Sequence, residues 1–352
     1  ASLYAYVSRG AVRVVAHPTD PRARLYAAAD IEDLIARKAR GRRPALAAAT
    51  ALDWGLPVLT TAISRIAEGH LLYRDVDAVE LSGHASLEDI ASLLWQCARN
   101  PFASRAGLPV RVVSSTGSPV ERAVASLIPL LPRDNAEDTV QATAIVRRVV
   151  ASAIGKPAGD HAIHAQLAAA WDRHDAADTI RRALVLAADH ELNASTFAAR
   201  VAASTGASLA ASVIAALAAF SGIRHGGATQ AAVAVLRAGG RAAVKRPANL
   251  PGVPGFGHPL YPDGDPRACA LLAACPPSAA LRATIDRAAS RAGAEPNLDC
   301  ALASVQLTCG LPEDAAFSIF MIGRTVGWLA HAIEQQAGGK LIRPRATYPQ
   351  RH

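Results

Sequence analysis

At 352 residues the chain is long enough for two domains and a large buried core, and with 51% hydrophobic but only 5% aromatic residues its apolar content is mostly alanine, leucine and valine, which favours closely packed helices and an all-α fold. Five cysteines, Cys97, Cys269, Cys275, Cys300 and Cys309, are odd in number and show no Cys-x-x-Cys spacing, which argues against a disulfide framework or a structural zinc site and reads as reduced cytosolic thiols. The net charge of +8 is uneven, because residues 1–45 hold nine basic residues against Asp20, Asp30, Glu32 and Asp33, a net +5 that leaves +3 for the rest.

From the N-terminus, residues 2–10 (SLYAYVSRG) read as a short helix ended by glycine, and residues 11–26 alternate around a Pro-Thr-Asp-Pro turn as a small hairpin would. AADIEDLIARKAR follows as a helix with Asp30 as its N-cap. Helix, wing and helix in that order resemble part of a winged helix-turn-helix of the MerR type, whose implied DNA contacts are Arg9, Arg13, Arg22 and Arg24. Half of that motif is absent, so a basic appendage packed on the main body competes with it. ARGRRP at 39–44 reads as a linker. Residues 45–223 read as mostly helical, with interruptions at 99–118 and 132–135. The longest apolar run, Leu209 to Phe220, is too short to cross a bilayer and predicts a buried core helix. No segment has the pattern of a cleaved leader, so a cytoplasmic enzyme is expected. His161 and His164 are spaced as a metal could use, but no acidic or cysteine partner completes a site locally, and packed or solvated histidines are the better reading. Residues 239–266 crowd glycine and proline into a long irregular connection, which inside a compact domain points to function.

Three stretches concentrate the chemistry: DHELNASTFAARVAAST at 189–205, SGIRHGGATQAA at 221–232 and GFGHPLYPDGDPRA at 255–268. His190, His225 and His258 each sit at the edge of an apolar helical run, where loops can aim imidazoles into one cleft for proton chemistry at a carbonyl. With PNLD at 296–299, GRTVGWLAH at 323–331 and IRPRATY at 342–348, these stretches resemble the citrate synthase family, in the family's order. Residues 69–95 are similar to the family's early tyrosine-arginine-glycine element, with Asp75 where glycine is usual. The resemblance covers about 57–348 and not the first forty-odd residues.

What the resemblance implies is an all-α enzyme with a large helical domain (45–226 and 316–352), a smaller helical domain (227–315) that closes over the active site, and residues 1–44 as a winged-helix-like appendage. The implied reaction joins acetyl-CoA to oxaloacetate, with Asp299 as base, His225 steadying the thioester oxygen and His258 polarising the ketone. Independently of the resemblance, the positive end of a helix beginning near Gly227 should keep His225 neutral. His190, Asn193, Arg267, Arg324 and Arg343 are the implied oxaloacetate contacts, with Arg343 reaching a neighbouring subunit's site in a homodimer. No metal, permanently bound cofactor or membrane is expected; an acyl-CoA enters as co-substrate. Pro262 and Asp263 depart from the family, which commonly carries a basic residue four positions after the third histidine to hold CoA phosphates, and Pro259 departs as well. The basic group Arg237, Arg241, Lys245 and Arg246 is the nearest substitute in sequence. Two alternatives stay open: 2-methylcitrate synthase using propionyl-CoA, and a non-catalytic metabolite sensor with a DNA-binding N-terminus.

Overall fold

The computed structural model describes residues 13–16, 20, 24–27, 59–103, 116–132, 137–240 and 252–346. Two units are distinguished, residues 1–60 with 344–352, and residues 61–343. In the first, β1 (Val14–Ala16) and β2 (Arg24–Tyr26) pair antiparallel with Val14 opposite Tyr26, the hairpin expected from the alternation. The helices expected on either side of it, and the linker at 39–44, lie outside the described residues.

The second unit opens with strands where the sequence reads as helical. β3 (Ser64–Ala67), β4 (His70–Tyr73) and β5 (Val76–Asp77) form an antiparallel meander in chain order. Its two turns are Glu68-Gly69 and Arg74-Asp75, all four with positive φ (53°, 79°, 44° and 69°), the conformation whose twist matches a tight hairpin. Asp75 thus occupies a left-handed position, which accounts for glycine being usual there and for aspartate being tolerated.

Thirteen α-helices follow among the described residues: α1 (Ala78–Ser82), α2 (Leu87–Leu94), α3 (Pro119–Leu127), α4 (Asp138–Ile154), α5 (Ile163–Ala170), α6 (Ala177–Ala187), α7 (Ala194–Ser204), α8 (Leu209–Phe220), α9 (Gly226–Arg237), α10 (Pro266–Ala274), α11 (Ala279–Ala292), α12 (Leu298–Thr308) and α13 (Ala315–Gly338). Side chains close many of their N-termini: Ser86 with Asp89 and Ser118 with Glu121 form reciprocal capping boxes, and Asn193, Ser208, Asp265, Ser278 and Asn297 cap α7, α8, α10, α11 and α12. α8 spans the apolar run expected to be a core helix and buries Leu209, Val213, Leu217 and Phe220.

α13 is the axis of the unit. It packs against α2, α4, α6, α7, α8, α9 and α12. By length and composition alone it could cross a membrane, but 94% of its apolar window is buried inside the protein, and core packing already explains its hydrophobicity. Gly327 allows the closest of these approaches, since a β-carbon there would lie 2.3 Å from the Ala188 carbonyl oxygen and 2.5 Å from Asp189 Oδ1. The end of α6 is thereby drawn against α13, and Asp189, which follows α6, comes to lie against Gly327 and in the field of Arg324.

Candidate active site

His190, His258 and Tyr261 form one cluster. The His190 and His258 ring centroids are 5.0 Å apart, and His190 Nε2 lies 3.0 Å from the Tyr261 hydroxyl. The His258 loop is fastened to the start of α12: Gly257 N–H donates to Glu295 O at 2.8 Å, Asn297 N–H to Gly255 O at 2.9 Å, and Asn297 Nδ2 to Gly257 O at 3.0 Å. Leu260 N–H donates to His258 Nδ1 at 3.2 Å, so the neutral ring carries its proton on Nε2. Burial and then the Arg267 charge hold His258 down at about 4, and burial, followed by the same arginine, holds His190 well below the ordinary histidine range.

His225 occupies the N-cap position of α9, and its Nε2 lies 2.6 Å from Ser195 Oγ. That hydroxyl accepts from Trp328 Nε1 at 2.9 Å and donates to Asn193 Oδ1 at 2.7 Å. The next residue has to be glycine, because a β-carbon on Gly226 would come within 2.5 Å of the Phe220 ring. Burial, then the Arg324 charge, pushes His225 down to about 3. Burial thus favours the neutral imidazole, the same form that the helix dipole favours.

Asp299 sits in the first turn of α12, and its Oδ1 accepts from the Thr229 hydroxyl of α9. Burial raises its carboxyl to about 6, against the lowering effect of that hydrogen bond and of Arg267. Asn297 caps α12 through Asp299 N–H at 3.0 Å, so the cap and the acid belong to one local turn.

Arg267 is 3% exposed and is gripped by Asp265, through Nε to Oδ1 at 2.9 Å and Nη2 to Oδ2 at 2.8 Å. The same carboxylate accepts from Leu298 N–H at 3.1 Å, which ties α10 to α12. Arg324, 1% exposed, donates Nε to Ala187 O at 2.8 Å and stacks over Phe320 at 4.9 Å. Its two Nη groups make no hydrogen bond among the described residues. Asp189, fully buried, accepts from the Ser64 hydroxyl and lies 3.3 Å from His331 Nε2. A neutral donor, a buried carboxyl of raised pKa and two guanidinium groups are thus gathered around one turn of α12, a set suited to removing a proton beside a carbonyl in an anionic substrate.

The citrate synthase C-terminal domain model matches residues 135–345. The chain is 30% identical to citrate synthase 2 of Bacillus subtilis over 84% of this chain and 94% of that protein, and 28% identical to 2-methylcitrate synthase of Mycobacterium tuberculosis over 84% and 88%. Among solved structures it is similar to citrate synthase of Pyrobaculum aerophilum (TM-score 0.67, 26% identity, 84% and 92% covered) and to the Thermoplasma acidophilum enzyme in ternary complex with carboxymethyl coenzyme A and oxaloacetate (TM-score 0.68, 24% identity, 84% and 94% covered). The chain belongs to the citrate synthase family.

Nothing in these similarities supports a MerR-type winged helix for residues 1–44, where the described residues form the β1–β2 pair. Of the residues the family resemblance implies, His190, His225, His258, Asp299, Arg267 and Arg324 share one contact and charge network. Asn193 stands beside it, its oxygen capping α7 and its amide donating to His190 O at 3.3 Å, so it holds His190 and Ser195 in place. Arg343 is exposed on the tail after α13. Lys245, Arg246 and Arg241 lie outside the described residues, and Arg237 pairs with Glu313 at 3.1 Å on an exposed face. Pro262 and Asp263 are exposed, immediately after the buried Tyr261. His161 lines a separate polar cavity of about 200 Å³ with Glu88, Arg147 and Gln166. Sequence reading missed Ser195, Thr229 and Tyr261, polar residues inside the quoted motifs that meet His225, Asp299 and His190 far along the chain, and Asp265, which joins its neighbour Arg267 to the start of α12.

Proposed function

We propose that this chain is a citrate synthase, which condenses acetyl-CoA with oxaloacetate and water to give citrate and free CoA. The observation that carries the reading is the placement of Asp299 on the turn that Asn297 ties to the His258 loop, where burial raises its carboxyl to about 6. A base poised just below neutral pH is ionised in the cell yet basic enough to take a methyl proton next to a thioester. Asp299 Oδ takes that proton. His225, its Nε2 anchored on the Ser195 hydroxyl, steadies the thioester oxygen as negative charge develops there. His258 Nε2–H polarises the oxaloacetate ketone, and the new carbon–carbon bond forms as the ketone oxygen gains that proton. Water then cleaves the thioester and releases CoA. Arg267, Arg324 and His190 hold the two oxaloacetate carboxylates, and an acyl-CoA is the only cofactor the reaction needs.

Residues 227–315 act as the lobe that closes over 61–226 and 316–343, and Arg343 completes the site of a neighbouring subunit in a homodimer. Citrate formation from oxaloacetate and acetyl-CoA, followed by mass spectrometry, tests the activity, with propionyl-CoA as competitor to rank the acyl groups. Asp299→Asn should lower turnover by on the order of 100-fold or more while oxaloacetate binding stays near normal; wild-type turnover would sink the assignment. Mixing Asp299→Asn with Arg343→Ala should restore part of the activity that each lacks alone, because a mixed dimer contains one intact site. A mixture no more active than its components would rule out the shared site.

A further inference from the structure

Cys275 and Cys309 lie with their sulfurs 3.7 Å apart. Cys275 is the buried C-cap of α10 and Cys309 the half-buried C-cap of α12. These two helices pack along each other, and their opposite ends carry Arg267 and Asp299. The pair therefore sits at the far end of the two rods that present the base and one substrate-binding arginine. Thr179 hydrogen-bonds the Cys275 sulfur, while Asp175 and Arg173 face Cys309, whose neighbour Gly310 accepts from Arg173 Nε at 3.3 Å. Sharing one proton between the sulfurs draws the first thiolate down, on Cys275, and holds the second proton on Cys309. No other pair of thiols is in such contact among the described residues; Cys269 is exposed and Cys300 is buried within α12.

We propose that Cys275 and Cys309 are a reversible thiol–disulfide pair whose oxidation tethers the C-terminal ends of the helices carrying Arg267 and Asp299. With hydrogen peroxide as oxidant, the Cys275 thiolate attacks one peroxide oxygen, the O–O bond breaks and hydroxide leaves, producing a sulfenic acid. The Cys309 sulfur then attacks the sulfenic sulfur, the S–S bond forms, the S–O bond breaks, and the departing hydroxide takes the Cys309 proton as water. Two thiols and one peroxide become one disulfide and two waters, the sulfurs being oxidised and the peroxide reduced. Closing the 3.7 Å contact to a covalent bond is shared between rotation of the two side chains and approach of the helix ends, and close-packed interiors transmit such shifts.

The test treats the reduced full chain with hydrogen peroxide, blocks free thiols with N-ethylmaleimide and maps peptides by mass. The expected product is a cross-linked peptide pair holding Cys275 and Cys309, lacking two hydrogens and split again by dithiothreitol. Turnover should fall by about tenfold or more, given the sensitivity of catalysis to displacements of about 1 Å, and recover on reduction. Cys275→Ala and Cys309→Ala should each abolish both effects, and Cys269→Ser neither; circular dichroism verifies that the variants fold. Cys275 and Cys309 recovered as separate maleimide adducts after peroxide would overturn the proposal, and a cross-link without loss of turnover would overturn its coupling to the site. Only the turnover measurement rests on the synthase reading. Cross-link mapping does not, so failure of one is distinguishable from failure of the other.

Discussion

Two buried arginines stand in the site under opposite electrostatic terms. Burial would lower Arg267, but the Asp265 charge and hydrogen bonds outweigh it and hold the guanidinium above its usual range. Burial also acts on Arg324, and there it wins, bringing the group down to about 10, because Asp189, the carboxylate that attracts it most, does so without a hydrogen bond. Asp189 gives its Oδ2 to Ser64 and His331. One arginine is thus already neutralised by the protein, while the other is buried with its outer fork unfilled. Under the proposed function the two divide their labour, Arg267 serving the fold as much as the ligand and Arg324 chiefly the ligand.

Replacing each arginine separates the two roles, and the larger effect is expected at Arg267. Arg267→Leu leaves the Asp265 carboxylate buried without its partner, at a cost of about 3 to 5 kcal/mol of stability, besides weakening oxaloacetate binding. Denaturant unfolding would measure the first loss and substrate titration the second. Adding Asp265→Leu should return much of the stability and none of the binding; a single variant as stable as the parent would break the comparison. Arg324→Leu should weaken oxaloacetate by about 2 to 5 kcal/mol, a factor of roughly thirty or more, while the unfolding midpoint holds or rises, since an uncompensated buried charge has been removed. A large drop in stability there would mean that Arg324 is also a structural partner.

Much of this site is legible in the sequence because the family's motifs are short and local. His225 with Gly226, and Asn297 with Asp299, each lie within a single helix start. The core helix α8 is legible for a similar reason, as twelve consecutive apolar-rich residues admit few other structures. What could not be read is pairing across the chain. Ser195 meets His225 30 residues later, and Tyr261 meets His190 71 residues earlier, so no local pattern marks either. The meander at 64–77 was hidden because its register depends on turns at Glu68 and Arg74, residues that rarely adopt positive φ. A membrane-length helix was also missed, since the arginine and polar residues of α13 interrupt its apolar run even though they are buried.

The smallest effect concerns the carboxyl that both arginines influence. Desolvation raises Asp299, and the influences that lower it are, in order, the Thr229 hydrogen bond and the charges of Arg267 and Arg324, with Asp265 opposing them. If the hydroxyl is the leading one, Thr229→Val should raise Asp299 further while both arginines remain, because valine keeps the shape and removes the donor. The base works only when ionised, so kcat/KM for acetyl-CoA should fall on the acid side near pH 6 in the parent, and that limb should move to higher pH in the variant. Activity at pH 8 would change little, and activity at pH 6 would drop several-fold, as expected for a shift of up to about one unit. The histidines add no limb of their own in that window, because His225 and His258 are held near 3 and 4. Stability responds with the matching sign: a carboxyl raised by folding favours the native state below its unfolded value and loses that contribution as pH climbs through about 6. Thr229→Val should therefore make unfolding easier above neutrality more than at pH 4. An acid limb unmoved by the substitution would assign the control of Asp299 to the arginines and bring the two back to equal footing.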